Sequence, residues 1–441
     1  MNVLVTPHIF GGKESFCVPA SKSHTIRRLL LAALGSGVSR IEGPLDSLDT
    51  RSCAAAVPAL GAKVAEERKN GILTAYIVQG AGAVKTDASG ADIRRIDAGN
   101  SGTTLFLLLA AASLGNAPYT FSGDEQIMRR SAGPLLDALS AFGVSVSSHN
   151  GCVPITVCGP WKGGRARVEC PTSQYLSALL MAAPLAPKGC VTRIDVPLLN
   201  EKPYIDMTLA YLAAHSVPLE FTPGYSRFRI AGGASYHSQN GPVPGDFSSA
   251  AFPAAAAVIS GGRITLVGLD PADTQGDKVF FEYLERMGCT VEWKQTEGVW
   301  QVTVFRTGPL KGGIFDLNAT PDMLPVMAVL GAYANGKTEL INAAHARIKE
   351  TDRIACMARE LKKLGVECIE KKDGLVIGAQ TARGKETPPV MRLDGYGDHR
   401  IVMALACAAL GSQGPVEITT AEAVDVTYPG FWELFKKPAL I

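Results

Sequence analysis

An apolar Ala/Leu-rich run, a break at Gly or Asn, and then a β-rich run recur six times along this chain. The instances are LLLAALGSGVSRIEG, LFLLLAAASLGNAPYTFSG, LSALLMAAPLAPKGCVTRID, FPAAAAVISGGRITLVG, LPVMAVLGAYANGKTELIN and VMALACAALGSQGPVEIT. With breaks at Gly37, Asn116, Gly189, Gly262, Gly336 and Gly414, they stand about 79, 73, 73, 74 and 78 residues apart. A second motif alternates with the first: LGAKV at 60–64, FGVSV at 142–146, MGCTV at 287–291 and LGVEC at 364–368. HSVPL at 215–219 fills a fifth slot without its glycine. Glycine is what a helix end in the left-handed conformation asks for, and a strand follows at once. Each unit is therefore about 75 residues, with two helices and several short strands. That is too long for a solenoid of 20–45-residue repeats, and it suits two globular α/β domains of three units each.

One helix–strand pair is missing from this count. The C-terminal FWELFKKP is expected to supply the helix and the N-terminal MNVLV the strand, so that the termini meet in one unit. Composition places the seam at SYHSQNGPVPGDFSS (235–249), rich in Gly, Pro, Ser and Asn. The chain then crosses between domains near residues 20 and 243. Residues 1–20 with 244–441 form a discontinuous domain, and 21–243 an inserted one. A ligand is expected in the cleft between them.

Composition excludes several functions. Forty-three Lys+Arg against 41 Asp+Glu leave a formal charge of +2, without the basic excess of a nucleic-acid binder. The longest near-apolar run, Leu105 to Leu114, is far short of the ~20 residues that span a bilayer. Ten cysteines are scattered with no C-x-x-C, and no basic, then apolar, leader precedes the first strand. A monomeric cytoplasmic protein with reduced thiols is expected, with no nucleic-acid or membrane partner.

Polar clusters stand where the apolar helices begin. PASKSHTIRRLLLAA carries Ser21, Lys22, Ser23 and Arg27; DAGNSGTTLFLLLA carries Asn100, Gly102, Thr103 and Thr104; CPTSQYLSALLMAA carries Thr172, Ser173 and Gln174. Small hydroxyl residues there are ordinary N-caps, but unpaired N–H groups beside cations also make anion pockets. In the second half, HARIKETDRIACMARELKKLG is expected to begin a helix with Arg347, Lys349, Glu350, Asp352 and Arg353, putting Lys349 and Arg353 on one face. DGYGDHRIVMALACAAL places Asp398, His399 and Arg400 before another helix, and NATPDMLPVM puts Asp322 at an N-cap position. An Asp-His pair could serve a metal or acid/base site, but no second histidine completes a zinc set. No G-x-G-x-x-G follows a strand, and GNSGTT lacks the lysine of a phosphate-binding loop. The whole suits a cofactor-free reaction between small, multiply anionic substrates, run by electrostatics and acid/base catalysis. A cleft lined by such cations is expected to be self-repelling until anions arrive.

PASKSHTIR, GNSGTT, RIKETDR, DHRI and the six-unit pattern together resemble the 5-enolpyruvylshikimate-3-phosphate synthase family over essentially the whole chain. The resemblance implies two domains, each of three βαβαββ units, in the inside-out α/β barrel of the enolpyruvyl transferases. It implies transfer of the enolpyruvyl group of phosphoenolpyruvate to the 5-hydroxyl of shikimate 3-phosphate, with release of phosphate. The reaction runs through a tetrahedral intermediate and needs neither metal nor cofactor. By motif, Lys22 would contact both substrates, with Ser23, Arg27, Thr172, Ser173, Gln174 and Tyr204 on the shikimate 3-phosphate side. Asn100, Gly102, Arg130, Arg353 and Arg400, with Lys22 and Gln174, match the phosphoenolpyruvate side. Asp322, Lys349 and Glu350, with Lys22, match the catalytic group, and Asp322 and Lys349 also the acceptor contacts.

Three positions depart from the family pattern. Val426 stands where a lysine usually meets phosphoenolpyruvate, Glu201 where many members place Ser before KPY, and Phe106 where an Arg is frequent. A lost cation and a gained carboxylate both disfavour anions. They leave open an enolpyruvyl transferase with a different acceptor, or a non-catalytic paralogue; for the lost lysine, Lys436 or Lys437 could substitute.

Overall fold

Six largely apolar helices fix the architecture, because a helix that buries most of its surface is stable only in an interior. Gly102–Ala112, Leu324–Ala332 and His399–Leu410 are buried at every residue. Lys22–Leu34, Ser173–Ala182 and Phe247–Ser260 are buried along most of their length. The computed structural model describes residues 1–12, 15–82, 93–380 and 390–435, and the chain divides into two compact units. One comprises Met1–Pro19 with Pro244–Ile441, the other Ala20–Val243.

In the unit Ala20–Val243, Gly102–Ala112 packs on both Lys22–Leu34 and Ser173–Ala182, and three four-stranded sheets accompany them. The strand orders are Gly241–Pro242, Val38–Glu42, Ile72–Gln79, Lys63–Lys69; Arg94–Asp97, Tyr119–Ser122, Cys152–Cys158, Ser145–His149; and Gly164–Cys170, Val191–Leu199, Arg227–Ala231, Glu220–Phe221. Within each sheet the first pair is parallel and the other two antiparallel. With the intervening helices this is βαβαββ three times over. Strands such as Gly164–Cys170 alternate buried and exposed residues, as a sheet with one wet face must.

The second unit repeats the plan. Phe247–Ser260, Leu324–Ala332 and His399–Leu410 pack on one another. Two sheets keep the four-strand order, with Ser15–Cys17 parallel to Arg263–Val267 and Ile314–Asp316 parallel to Thr338–Ile341. The third sheet has three described strands. Met391–Leu393 runs parallel to Val416–Ile418, and the N-terminal Val3–Val5 adds antiparallel to the latter. The first strand therefore closes the last repeat, as the sequence suggests. FWELF is a short 3₁₀ stretch, Phe431–Phe435, rather than a full helix. In that turn the rings of Phe431, Trp432 and Phe435 pack on each other in tilted and edge-on arrangements, and Phe435 packs tilted against Phe10. Lys436 and Lys437 lie outside the described residues.

The alternating glycine motif has a clear cause. Gly61, Gly143, Gly288 and Gly365 take φ of +102°, +90°, +90° and +75°. Ser216, in the slot that lacks a glycine, is forced to φ +56° all the same. Among the described residues no helix is long and apolar enough to cross a membrane.

Candidate active site

In each unit several of the candidate residues stand at or just ahead of the N-terminal ends of its buried helices. In the unit Ala20–Val243, Lys22 opens the helix Lys22–Leu34 and its Nζ lies 3.0 Å from Asp49 Oδ2. Arg27, one turn on, is 2% exposed. Its Nε donates to Thr208 Oγ1 (3.1 Å), Nη1 to the Ser23 carbonyl (3.2 Å) and Nη2 to Ser177 Oγ (3.4 Å). Those bonds tie three helices together around one cation. Burial pushes the guanidinium down to about 10, partly offset by Tyr204, Tyr211 and Glu201, so it stays charged at neutral pH. Tyr204 lies beside it, with the Arg27 guanidinium carbon 6.0 Å from the ring centre.

Thr172 caps the helix Ser173–Ala182. Gln174 Nε2 reaches Thr103 Oγ1 at 3.4 Å and so links this helix start to that of Gly102–Ala112. Asn100 Nδ2 donates to Asp124 and Gln126, holding the loop ahead of the latter helix. The Arg130 guanidinium lies directly against Gly102, where a Cβ would come within 2.4–2.6 Å of it. It also lies 5.7 Å from the centre of the Phe106 ring, which packs edge-on to Tyr175. Phe106 is thus no anion ligand but part of the platform on which Arg130 rests. Glu201, expected to disfavour anions, is 1% exposed and accepts hydrogen bonds from both Thr172 and Ser173.

In the other unit, Asp322, Lys349, Glu350, Arg353 and Arg400 form one network. Arg353 is 1% exposed, with Nη1 2.8 Å from Asp322, Nη2 2.6 Å from Glu350, and Nε 2.8 Å from Asp398. Burial alone would lower this guanidinium, but Asp398, Glu350 and Asp322 hold it above its ordinary value. Arg400 Nη2 lies 3.0 Å, and Lys349 Nζ 3.9 Å, from Asp322. Asp277, which sequence reasoning missed, is hydrogen-bonded by Ser248 Oγ at the start of Phe247–Ser260. Burial, reinforced by Asp322, pushes its carboxyl up to about 7. Its only sequence signal is a lone Asp in TQGDKVF, which nothing local distinguishes from a turn.

Two expectations change. Lys349 is not on the helix with Arg353: Asp352 accepts the Ala355 N–H, so the helix starts at Arg353 and Lys349 stays in the connecting segment. Asp322 does not cap Leu324–Ala332, whose N-cap is Met323; it spends its oxygens on Arg353 and Arg400. Asp398 caps the helix His399–Leu410 and bonds Arg353, Thr351 and the N–H groups of Arg400 and Ile401. Val426 ends a short 3₁₀ helix at 8% exposure. Among the described residues no group of three or more His, Cys, Asp or Glu could hold a metal.

The model of EPSP synthase (3-phosphoshikimate 1-carboxyvinyltransferase) matches residues 13–435. A 3-phosphoshikimate 1-carboxyvinyltransferase of Acetivibrio thermocellus is 44% identical over 94% of this chain and 93% of its own length. One of Ruminiclostridium cellulolyticum is 39% identical over 96% and 95%. The solved EPSP synthase of Acinetobacter baumannii superposes with a TM-score of 0.77 at 27% identity, covering 98% of this chain and 97% of that one.

Proposed function

This chain belongs to the EPSP synthase family, and on that premise we propose that it transfers the enolpyruvyl group of phosphoenolpyruvate to the 5-hydroxyl of shikimate 3-phosphate. The observation that carries the reading is the network in which Asp322 gathers Lys349, Arg353 and Arg400 around one carboxylate. A reaction between two polyanions needs cations fixed in advance, because their reorganisation would otherwise add to the barrier. It also needs groups that can take and return protons within hydrogen-bond reach of the reacting atoms.

Lys22, Ser23, Arg27, Thr172, Ser173, Gln174 and Tyr204 hold the acceptor, Arg27 facing its carboxylate. Arg130, Arg353 and Arg400 hold phosphoenolpyruvate, whose phosphate and carboxylate suit planar guanidinium forks. In the addition step Asp322 accepts the proton of the 5-hydroxyl as its oxygen bonds to C2 of phosphoenolpyruvate. Lys349 or Glu350 protonates the methylene carbon, which becomes a methyl group. In the elimination step that methyl loses one proton to the same group, the C–O bond to phosphate breaks, and the leaving phosphate takes the 5-hydroxyl proton back from Asp322, so every enzyme group ends as it began. Enolpyruvyl ether and inorganic phosphate leave. We place this chemistry in the cytoplasm, where the ten free thiols stay reduced.

The test is phosphate release from the two substrates without added metal or nucleotide, with the product identified by mass. One phosphate per enolpyruvyl ether is the expected result. Release abolished by a chelator and restored by a divalent ion would contradict the acid/base account, and no release at all would contradict the reaction.

A further inference from the structure

The side chain of Glu201 fills an anion hole. Its Oε2 accepts three hydrogen bonds: from Thr172 Oγ1 at 3.1 Å, Ser173 N at 2.9 Å and Ser173 Oγ at 2.9 Å. Three donors converging on one oxygen at the start of a buried helix form a receptor for a charged oxygen. Thr172 and Ser173 are 6% and 1% exposed, and Glu201 is itself 1% exposed.

The backbone beneath it is held unfavourably. Glu201 precedes the helix Lys202–Ala214 with φ +56° and ψ +41°, the left-handed region that side chains with a Cβ avoid. Such a conformation persists only where the surroundings over-determine it. Its side chain makes no capping bond to the helix it precedes. The three bonds to Thr172 and Ser173 are the counterweight, and losing them frees the backbone to relax.

We propose that Glu201 is an internal stand-in for the acceptor's phosphoryl group: it occupies the Thr172–Ser173 anion site of the resting protein and leaves when a phosphorylated acceptor binds. This rests on the acceptor assignment above. A phosphate oxygen bonded by the same three donors needs the space that Oε2 fills, and two anions in contact repel in a water-poor site. Binding is then an exchange of one anion for another rather than the filling of an empty hole. Glu201 thereby sets how strongly the protein distinguishes a phosphorylated acceptor from the same molecule without phosphate. The carboxylate weakens the first and leaves the second almost untouched.

Calorimetric titration of shikimate 3-phosphate and of shikimate into the wild type, Glu201→Gln and Glu201→Ser tests this. Glu201→Ser should tighten shikimate 3-phosphate by tenfold or more and change shikimate by less than about twofold. Glu201→Gln keeps the side-chain shape and an acceptor for the three donors, so it guards against a folding defect. It removes the charge and should give an intermediate tightening. Shikimate 3-phosphate binding that is unchanged or weaker in both variants overturns the proposal; weaker binding would mean that Glu201 accepts a proton from a protonated phosphate. Phosphate release by the wild type separates the two claims. If release occurs and neither variant tightens, only the stand-in role fails. If none of the three proteins binds shikimate 3-phosphate, the acceptor assignment and the stand-in role fall together.

Discussion

Replacing Asp398 with Asn should unsettle the unit Met1–Pro19/Pro244–Ile441 more than any other isosteric change in its network. Asp398 is 0% exposed, and both of its oxygens are in use. Oδ2 accepts from Arg353 Nε at 2.8 Å and Thr351 Oγ1 at 2.9 Å. Oδ1 accepts from Arg353 Nη2 at 3.2 Å and from the N–H groups of Arg400 (2.9 Å) and Ile401 (3.4 Å). Every partner except the threonine is a fixed donor, so neither orientation of an amide avoids setting an NH₂ against N–H. Breaking a buried pair by removing one partner costs about 3–5 kcal/mol. Arg353 keeps Asp322 and Glu350, which favours the lower end, about 3 kcal/mol. In a unit of roughly 200 residues that lowers Tm by about 6–12 °C. Differential scanning calorimetry at 0.1 and 0.5 M salt is the assay, since a buried pair is little screened and the loss should persist at high salt. KM for phosphoenolpyruvate should rise as well, because Arg353 and the Arg400 N–H lose their common anchor. A shift below about 2 °C with unchanged kinetics would refute the view that Asp398 is the structural counter-ion of Arg353.

Three further expectations follow from individual contacts. Gly102→Ala puts a Cβ where the Arg130 guanidinium now lies, so the arginine must move while the fold does not; KM for phosphoenolpyruvate should rise about tenfold, and an unchanged KM would show that Arg130 has no part in binding. Lys349→Met should lower kcat by about 100-fold or more if Lys349 moves protons, whereas a rise in KM alone would leave it a binding residue. Asp277 carries a folded-state pKa raised to about 7, so the folded chain holds that proton more tightly than the unfolded one. The favourable contribution is complete below the carboxyl's ordinary range and is lost as pH rises through about 7. Asp277→Asn should therefore gain stability relative to the wild type between pH 5 and pH 8, and parallel stability–pH curves would reject the shift.

What the sequence made legible is what is encoded locally. The alternation of apolar runs with glycine breaks reports helix interiors and helix ends, and these depend on neighbours within a few residues. Hence four glycines in the left-handed region could be anticipated, and even the odd slot at Ser216 has the conformation of its counterparts. The clusters ahead of the buried helices were visible for the same reason. What stayed hidden depends on residues far apart in the chain. Glu201 finds Thr172 and Ser173 across 29 and 28 positions, and Arg353 finds Asp398 across 45. From the sequence alone Glu201 is a carboxylate added to an anion site, Phe106 a lost cation, and Asp398 half of an Asp-His pair. Each acquires its role only from a partner that folding supplies.

That dependence also revises the electrostatics. Cations gathered for polyanionic substrates would repel one another if left alone, and the sequence invites that picture. The side chains instead carry their own counter-ions: Asp49 on Lys22, and Asp322 shared by Lys349, Arg353 and Arg400, with Glu350 and Asp398 completing the set around Arg353. Three cations face three carboxylates in that last group, so it holds no surplus charge to be neutralised. Desolvating these groups without partners would cost several kcal/mol per ion, which is reason enough for the pairing. On the proposed assignment, substrate anions would compete with resident carboxylates for the same donors. Affinity is then set by the difference between two sets of charge-assisted hydrogen bonds, and a change to a resident carboxylate can tighten binding as readily as one to a cation can weaken it. Glu201, hydrogen-bonded to Thr172 and Ser173, is where that reasoning is put to the test.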